Sequence, residues 1–204
     1  MDILNEPIKQ FLDSLDEVLN NTNTLLFQYL INNEDLEEAT SLFLQSNDFI
    51  EQFYKIDLDM NYHNFHDLEY NDRKEYFWKR RNIKLFKTNY QLKIMKPVID
   101  KKEYLIAMHT GDTTKGKFNS FYGRNKNLEE AEKIVNDYIF AITDGMDWEL
   151  FVIDPDFLEY DIEDPEDAED TAERGYLIDE CSSNNVLIIK CDKVCYMIMT
   201  NGGP

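Results

Sequence analysis

The sequence predicts an α+β protein in which an N-terminal layer of helices packs against a mainly antiparallel β-sheet. Two observations carry this prediction. Apolar residues recur every three or four positions in the first 55 residues and again at 127–143, as they do along one face of a helix. Elsewhere, short runs rich in aromatic and β-branched residues are bounded by turn-forming residues, which is typical of strands.

Three helices are predicted in the N-terminal segment, at residues 5–19, 23–31 and 34–54. The first has an apolar face made of Ile8, Phe11, Leu12, Leu15 and Val18. The second is apolar nearly all round, which suggests a short buried helix. The third begins with acidic residues, which the helix dipole favours there. We therefore expect residues 1–55 to form a helical layer and residues 56–204 an α+β body, together one cooperative domain.

The body is predicted to contain strands and charged segments around one long helix. A charged helix at 66–81 is followed by strands at 83–87, 90–96 and 103–110, and a hairpin loop at 111–116 leads into a strand at 117–122. Further along, we expect a strand at 148–153, an acidic loop at 154–164, an acidic helix at 165–181 and a terminal hairpin made of 185–190 and 194–199.

The long helix is predicted at residues 127–143. Asn127 can cap its first turn, and Glu130 follows three residues later, in the spacing of a capping box. Gly145 is placed to end the helix. Its apolar stripe consists of Leu128, Ala131, Ile134, Val135, Tyr138, Ile139 and Ile142.

Charge is distributed in three blocks. Residues 1–72 carry 16 acidic and 2 basic side chains, residues 73–126 carry 4 acidic and 15 basic ones, and residues 127–204 carry 21 acidic and 4 basic ones. The total formal charge of −20 attracts cations and repels nucleic acid and anionic membranes over a Debye length of about 8–10 Å. We therefore expect a basic protein partner, with no direct binding to nucleic acid or membrane.

The densest acidic segment is 154–173, where 11 of 20 residues are Asp or Glu. A solvated surface would account for such a run. An interface would account for it as well, because rings can fill pockets while the acids steer a basic partner. The expected partner-binding residues are Asp154, Asp156, Phe157, Glu159, Tyr160, Asp161, Glu163, Asp164, Glu166, Asp167, Glu169 and Asp170.

The basic block interleaves cations with aromatic residues between Arg73 and Lys96, as nucleic-acid-binding surfaces do. The residues outside the block carry 31 net negative charges, and this field opposes a nucleic acid. We interpret the block as neutralised within the molecule. A nucleic acid or another phosphate-bearing ligand, and an acidic protein partner, remain alternatives.

Catalytic and metal-binding patterns are weak. Gly111, Gly116 and Lys117 have the spacing of a phosphate loop, with Asp154 as a magnesium ligand, but Phe118 stands where a hydroxyl is needed. His63, His66 and Asp67 could share a helical face, and Cys191 and Cys195 are expected to flank a hairpin turn. We predict no catalytic residue, no metal and no cofactor.

The expected location is the cytoplasm. Three cysteines, Cys181, Cys191 and Cys195, do not form an even framework and suggest reduced thiols. The first residues lack the basic and apolar regions of a secretory signal, and no apolar run approaches the length of a membrane span.

The run Asp147-Trp148-Glu149-Leu150, on a strand of a small acidic α+β chain, resembles the immunity proteins of bacterial toxin–immunity pairs. The resemblance lies in composition and layout, and it transfers no individual residue. It implies a non-catalytic inhibitor that blocks a toxin domain, often a nuclease whose surface is basic. The alternatives are a phage-type anti-defence protein that mimics nucleic acid, and a nucleotide- or nucleic-acid-binding module that uses residues 73–117.

Overall fold

A computed structural model gives the structure of the chain. It describes residues 5–19, 24–44, 46, 48–49, 52, 97–112, 124–153, 159–160, 175–176 and 185–200. Within these residues the elements, in chain order, are α1 (Glu6–Leu19), β1 (Leu25–Leu30), α2 (Leu36–Leu44), α3 (Lys101–Thr110), α4 (Leu128–Thr143), β2 (Glu149–Ile153), β3 (Glu159–Tyr160), β4 (Gly175–Tyr176), β5 (Asn185–Cys191) and β6 (Val194–Thr200). The predicted α+β class is confirmed.

The chain divides into two compact units. The first contains Met1–Asn33, Lys93–Asp154 and Cys181–Pro204, and the second contains Glu34–Leu92 and Pro155–Glu180. The first unit therefore holds α1, β1, α3, α4, β2, β5 and β6, and the second holds α2, β3 and β4. The boundary predicted at residue 55 lies outside the described residues.

A four-stranded antiparallel sheet forms the centre of the first unit, with the strand order β1-β6-β5-β2. The predicted terminal hairpin is confirmed as β5 and β6, joined at Asp192 and Lys193. Asp192 has a positive φ of 51°, a conformation that Asp tolerates in tight turns. At the sheet edges, β1 pairs with β6 from Leu25↔Met199 to Leu30↔Val194, and β2 pairs with β5.

Three helices, α1, α3 and α4, pack on one face of this sheet. The register places Leu26, Ile198, Leu187 and Val152 in one row across the four strands, on the face that meets the helices. The helices contribute Phe11, Leu15, Leu105, Met108 and Tyr138, all fully buried. The predicted apolar face of the first helix is therefore confirmed as the packing face of α1.

The opposite face of the sheet is buried as well. The next row in the register, Phe27, Met197, Ile188 and Phe151, is apolar and buried. Both faces of β5 are therefore apolar, which explains its uninterrupted run Val186-Leu187-Ile188-Ile189.

The long helix, α4, begins and ends as predicted. Asn127 Oδ1 accepts a hydrogen bond from the Glu130 backbone N–H at 2.9 Å, which satisfies one of the free donors of the first turn. Asp144 and Gly145 both have positive φ at the other end. Asp144 donates its backbone N–H to Phe140 O and terminates the helix.

The predicted helix at 23–31 is wrong, because Leu25–Leu30 forms the strand β1. A short run that is apolar all round fits either a buried helix or a buried strand. Pairing with β6 decides between them, because it satisfies the backbone of β1 while its side chains are buried alternately on the two faces of the sheet.

The predicted strand at 103–110 is also wrong, because Lys101–Thr110 is the helix α3. A strand would bury alternate residues, whereas Leu105, Met108 and His109 are all fully buried, as one helical face requires. Gly111, which was expected in a hairpin loop, ends α3 with φ +69° and donates its N–H to Ala107 O.

The second unit contains α2, whose start is capped by Asp35. The Asp35 carboxylate accepts a hydrogen bond from the Glu38 N–H at 2.8 Å. The helix predicted at 34–54 is confirmed over Leu36–Leu44. The elements predicted at 66–81, 83–87, 90–96 and 117–122 lie outside the described residues.

Candidate functional site

The acidic segment lies in the connection between two strands of the sheet. Ile153, the last residue of β2, pairs with Val186 of β5, so the chain leaves and re-enters the sheet at neighbouring positions. Two or a few residues are enough to join such antiparallel neighbours. Here residues 154–184 make the connection, and they carry 13 acidic side chains and one basic one. Most of this connection, Pro155–Glu180, belongs to the second compact unit.

A short strand pair lies within this connection. β3 and β4 run antiparallel, with Glu159 opposite Tyr176 and Tyr160 opposite Gly175. The predicted acidic loop at 154–164 is therefore wrong at Glu159 and Tyr160, and the predicted helix at 165–181 is wrong at Gly175 and Tyr176. No sequence signal predicted the pair, because each strand is only two residues long.

The pairing of β3 and β4 brings the two ends of residues 161–174 together. These residues contain eight acids and one Arg, a net charge of −7. Like charges this dense in the sequence repel one another.

The other expected partner-binding residues lie outside the described residues. They are Asp154, Asp156, Phe157, Asp161, Glu163, Asp164, Glu166, Asp167, Glu169 and Asp170. Glu159 and Tyr160 are placed in β3 by their backbone. Residues 73–96 of the basic block, together with His63, His66, Asp67 and Cys181, also lie outside.

Two cations of the basic block have partners within the first unit. Lys126 Nζ forms ion pairs with Glu17 of α1 and, at 3.8 Å, with Glu130 of α4. Lys101 Nζ donates to the Trp148 carbonyl oxygen and lies 4.5 Å from the centre of the Trp148 ring. The Lys126 ion pairs neutralise one cation of the block, whereas these Lys101 contacts involve no carboxylate, so neutralisation of the whole block stays a prediction.

Comparison with known protein families, with curated proteins and with solved structures finds no match for the chain. Its function therefore has to be inferred from its own residues. Among the described helices the longest, α4, has 16 residues, and none is long and apolar enough to cross a membrane.

The local structure at Gly111 does not fit the phosphate-loop alternative. A phosphate loop follows a strand and begins a helix, whereas Gly111 follows the helix α3 and ends it. Residues 113–123, including Gly116 and Lys117, lie outside the described residues. The predicted strand at 148–153 is confirmed as β2 and ends beside Asp154.

The hairpin cysteines are buried thiols. Cys191 and Cys195 flank the β5–β6 turn as predicted, and the register places them on opposite faces of the sheet. Burial raises the pKa of Cys195 to about 11, although a hydrogen bond with Tyr29 lowers it. Burial also raises the pKa of the Cys191 thiol. Among the described residues no three potential metal ligands cluster.

A buried polar pair that sequence reasoning missed joins α1 to α3. Ser14 Oγ and His109 Nδ1 are 2.8 Å apart in the core, although the two residues are 95 positions apart in the chain. The signal available in the sequence was the position of Ser14, which lies three residues after Phe11 on the apolar face of α1. Neither side chain is accessible to a substrate, since both are buried.

A second polar pair fixes the passage from α1 to β1. Thr24 Oγ1 donates a hydrogen bond to Asp16 Oδ1 at 2.6 Å. Burial raises the pKa of Asp16 from 3.8 to about 6, while the hydrogen bonds from Thr24 lower it. Because the folded pKa exceeds the unfolded one, the contribution of Asp16 to stability is complete below pH 3.8 and is lost as the pH rises through 6.

We expect Asp16→Asn to raise the free energy of unfolding at pH 7.5 by about 1–3 kcal/mol, because the amide still accepts from Thr24 without a buried charge. The gain should shrink as the pH falls towards 4, where the native carboxyl is already neutral. Urea unfolding at both pH values measures the difference, with Glu132→Gln on the exposed side of α4 as the control. A gain that does not depend on pH would contradict the assignment.

Proposed function

We propose that this chain is a non-catalytic acidic protein that inhibits a basic partner. More specifically, it would be a cytoplasmic immunity protein, and its partner would be a toxin domain with a basic surface like that of a nuclease. The observation that carries the proposal is the position of the acidic segment. Residues 154–184 connect the neighbouring strands β2 and β5 and carry 13 acidic side chains and one basic one.

Electrostatics connects this position to the kind of partner. An enzyme that cleaves nucleic acid must present cations to phosphates, so its inhibitor benefits from carboxylates on the surface that docks. The chain has the required excess, with a net charge of −20 and 13 acids within residues 154–184. Aromatic residues of the same segment, Phe157 and Tyr160, would supply apolar anchors for pockets on the partner.

The Ser14–His109 contact in the described interior does not form a catalytic pair. The Ser14–His109 pair has the residue types of a nucleophile and its base, but His109 is 0 % exposed. Burial lowers the pKa of His109 to about 3, with a smaller contribution from the positive charge of Lys126. A histidine that a substrate cannot reach and that stays uncharged near neutral pH serves the fold.

Co-expression in bacteria tests the proposal. The protein encoded directly beside this chain should contain a cytotoxic domain, and production of that domain should stop growth unless this chain is present. The two purified proteins should elute together from a gel-filtration column. Growth arrest that this chain does not relieve would contradict the proposal, as would relief without a complex.

A thermal-shift assay with ATP or GTP and magnesium separates the inhibitor from the nucleotide-binding alternative. The proposed inhibitor should show no change in its unfolding temperature. A rise that requires both nucleotide and magnesium would favour the alternative site that uses residues 73–117.

A further inference from the structure

His109 lies where the three helices of the first unit meet. It belongs to the last turn of α3, and its Nδ1 faces Ser14 Oγ of α1 at 2.8 Å. The ring of Phe11 meets the imidazole edge to face, with centroids 4.6 Å apart. The ring of Phe11 also stacks on Tyr138 of α4, with ring centroids 3.8 Å apart. The imidazole is thus part of the packing contact between α1, α3 and α4.

The contacts of the imidazole suit its neutral form. A neutral ring has one N–H, and the hydrogen bond between Nδ1 and Ser14 uses one nitrogen. The other nitrogen, Nε2, is buried and has no hydrogen-bond partner in the described part of the chain. In the charged ring Nε2 carries an N–H that has no acceptor in the described part of the chain, and the ring also carries a buried positive charge, which is costly.

The groups around the ring add no counter-charge. Ser14 on α1 is neutral, and burial raises the pKa of the Tyr138 phenol of α4, which keeps it neutral too. The segment before α4 contributes Lys126, whose backbone N–H donates to His109 O and whose positive charge opposes a second one. Of the nearby carboxylates on α1, Glu17 pairs with Lys126 and Asp16 accepts from Thr24.

The helix dipole alone would favour a charged histidine here. A cation in the last turn of a helix is stabilised by the helix dipole. Complete burial outweighs this gain, and the pKa of His109 falls to about 3. Burial and the lack of an acceptor for Nε2 in the described part of the chain therefore both favour the neutral imidazole.

We propose that Ser14 and His109 form an acid-sensitive latch, which holds α1 against α3 and α4 while the imidazole is neutral and releases the helical layer when the imidazole gains a proton. The latch does not depend on the proposed inhibitor function. The direction of the pH effect follows from linkage. The pKa of His109 is lower in the folded state than its value of 6.5 in the unfolded state, so the folded state binds fewer protons. The contribution of His109 to the free energy of unfolding is therefore complete above pH 6.5 and decreases as the pH falls towards 3. Each pH unit in this window lowers the folding constant about tenfold.

Comparison of three proteins tests the latch by urea unfolding between pH 7.5 and 4.5. Ser14→Ala with His109→Phe removes both polar partners and leaves an apolar joint. Ser14→Ala alone keeps the titrating ring and serves as the matched control. Relative to that of the double variant, the folding constant of the unmodified chain should fall about 50-fold between pH 6.5 and 4.5, because the unfolded imidazole is already half protonated at pH 6.5. The control keeps His109, so its folding constant should show the same pH dependence as that of the unmodified chain. Asp16 is present in all three and cancels.

Nitrogen NMR of the histidine side chains gives a second measurement that needs no variant. His109 should stay neutral at every pH at which the chain remains folded. Two results would overturn the latch: protonation of His109 near pH 6.5 in the folded protein, or identical pH slopes for the unmodified chain and the double variant. If the double variant fails to fold, the NMR titration decides alone.

Discussion

Replacing Phe11 with alanine is expected to lower the free energy of unfolding by about 3–5 kcal/mol. Phe11 is 0 % exposed and contacts both His109 of α3 and Tyr138 of α4, so its removal leaves a cavity at the centre of the helical layer. Single domains are stable by about 5–15 kcal/mol in total. The loss is therefore a large part of what holds the first unit together.

Phe140→Ala provides the matched control for this experiment. Phe140 is on α4 but is 65 % exposed, so the same substitution should change stability by no more than about 0.5 kcal/mol. Urea unfolding followed by circular dichroism measures both variants. A loss below about 1 kcal/mol for Phe11→Ala would show that the three helices do not depend on this contact.

If the proposed basic partner docks on the acidic segment, neutralising four acids there should slow its association with this chain by at least about tenfold at low salt. The variant combines Asp164→Asn, Glu166→Gln, Asp167→Asn and Glu169→Gln. Steering by these carboxylates acts over a Debye length, so the association rate of the variant should also depend less on salt. Stopped-flow or biosensor kinetics at several salt concentrations give both quantities.

A variant with the same net charge separates local steering from the overall field. Asp13→Asn, Glu129→Gln, Glu132→Gln and Asp147→Asn change four exposed carboxylates elsewhere in the first unit. Both variants carry a formal charge four units less negative than −20. Equal slowing by the two variants would show that the acidic segment has no special role in the interface. Unchanged association rates in both would show that electrostatic steering does not contribute.

Elements with a regular pattern were predictable from the sequence. The apolar stripes of α1 and α4, and the Asn127 cap, were visible because each residue acts within its own helix. The β5–β6 hairpin was visible because two apolar runs flank a short polar turn at Asp192 and Lys193. In these cases local preference and packing agree.

The prediction failed where distant residues decide the structure. Leu25–Leu30 is a strand because β6 pairs with it, and that partner lies at the other end of the described chain. Lys101–Thr110 is a helix because one of its faces packs against α1 and α4, although Tyr104, Ile106 and Thr110 favour strands. The Ser14–His109 contact joins positions 95 residues apart, and no local pattern contains it.

The strand order has a consequence for how the chain folds as it is synthesised. β6 is the last described strand to be made, yet it lies between β1 and β5. Pairing Leu25 with Met199 closes a loop of 174 residues, which costs about 4–5 kcal/mol of chain entropy. Until β6 leaves the ribosome, β1 lacks the neighbouring strand with which it pairs in the described sheet. The first unit should therefore form its sheet only after translation of nearly all of these residues, and during that interval the apolar surface of β1 needs protection by a chaperone or by transient local contacts.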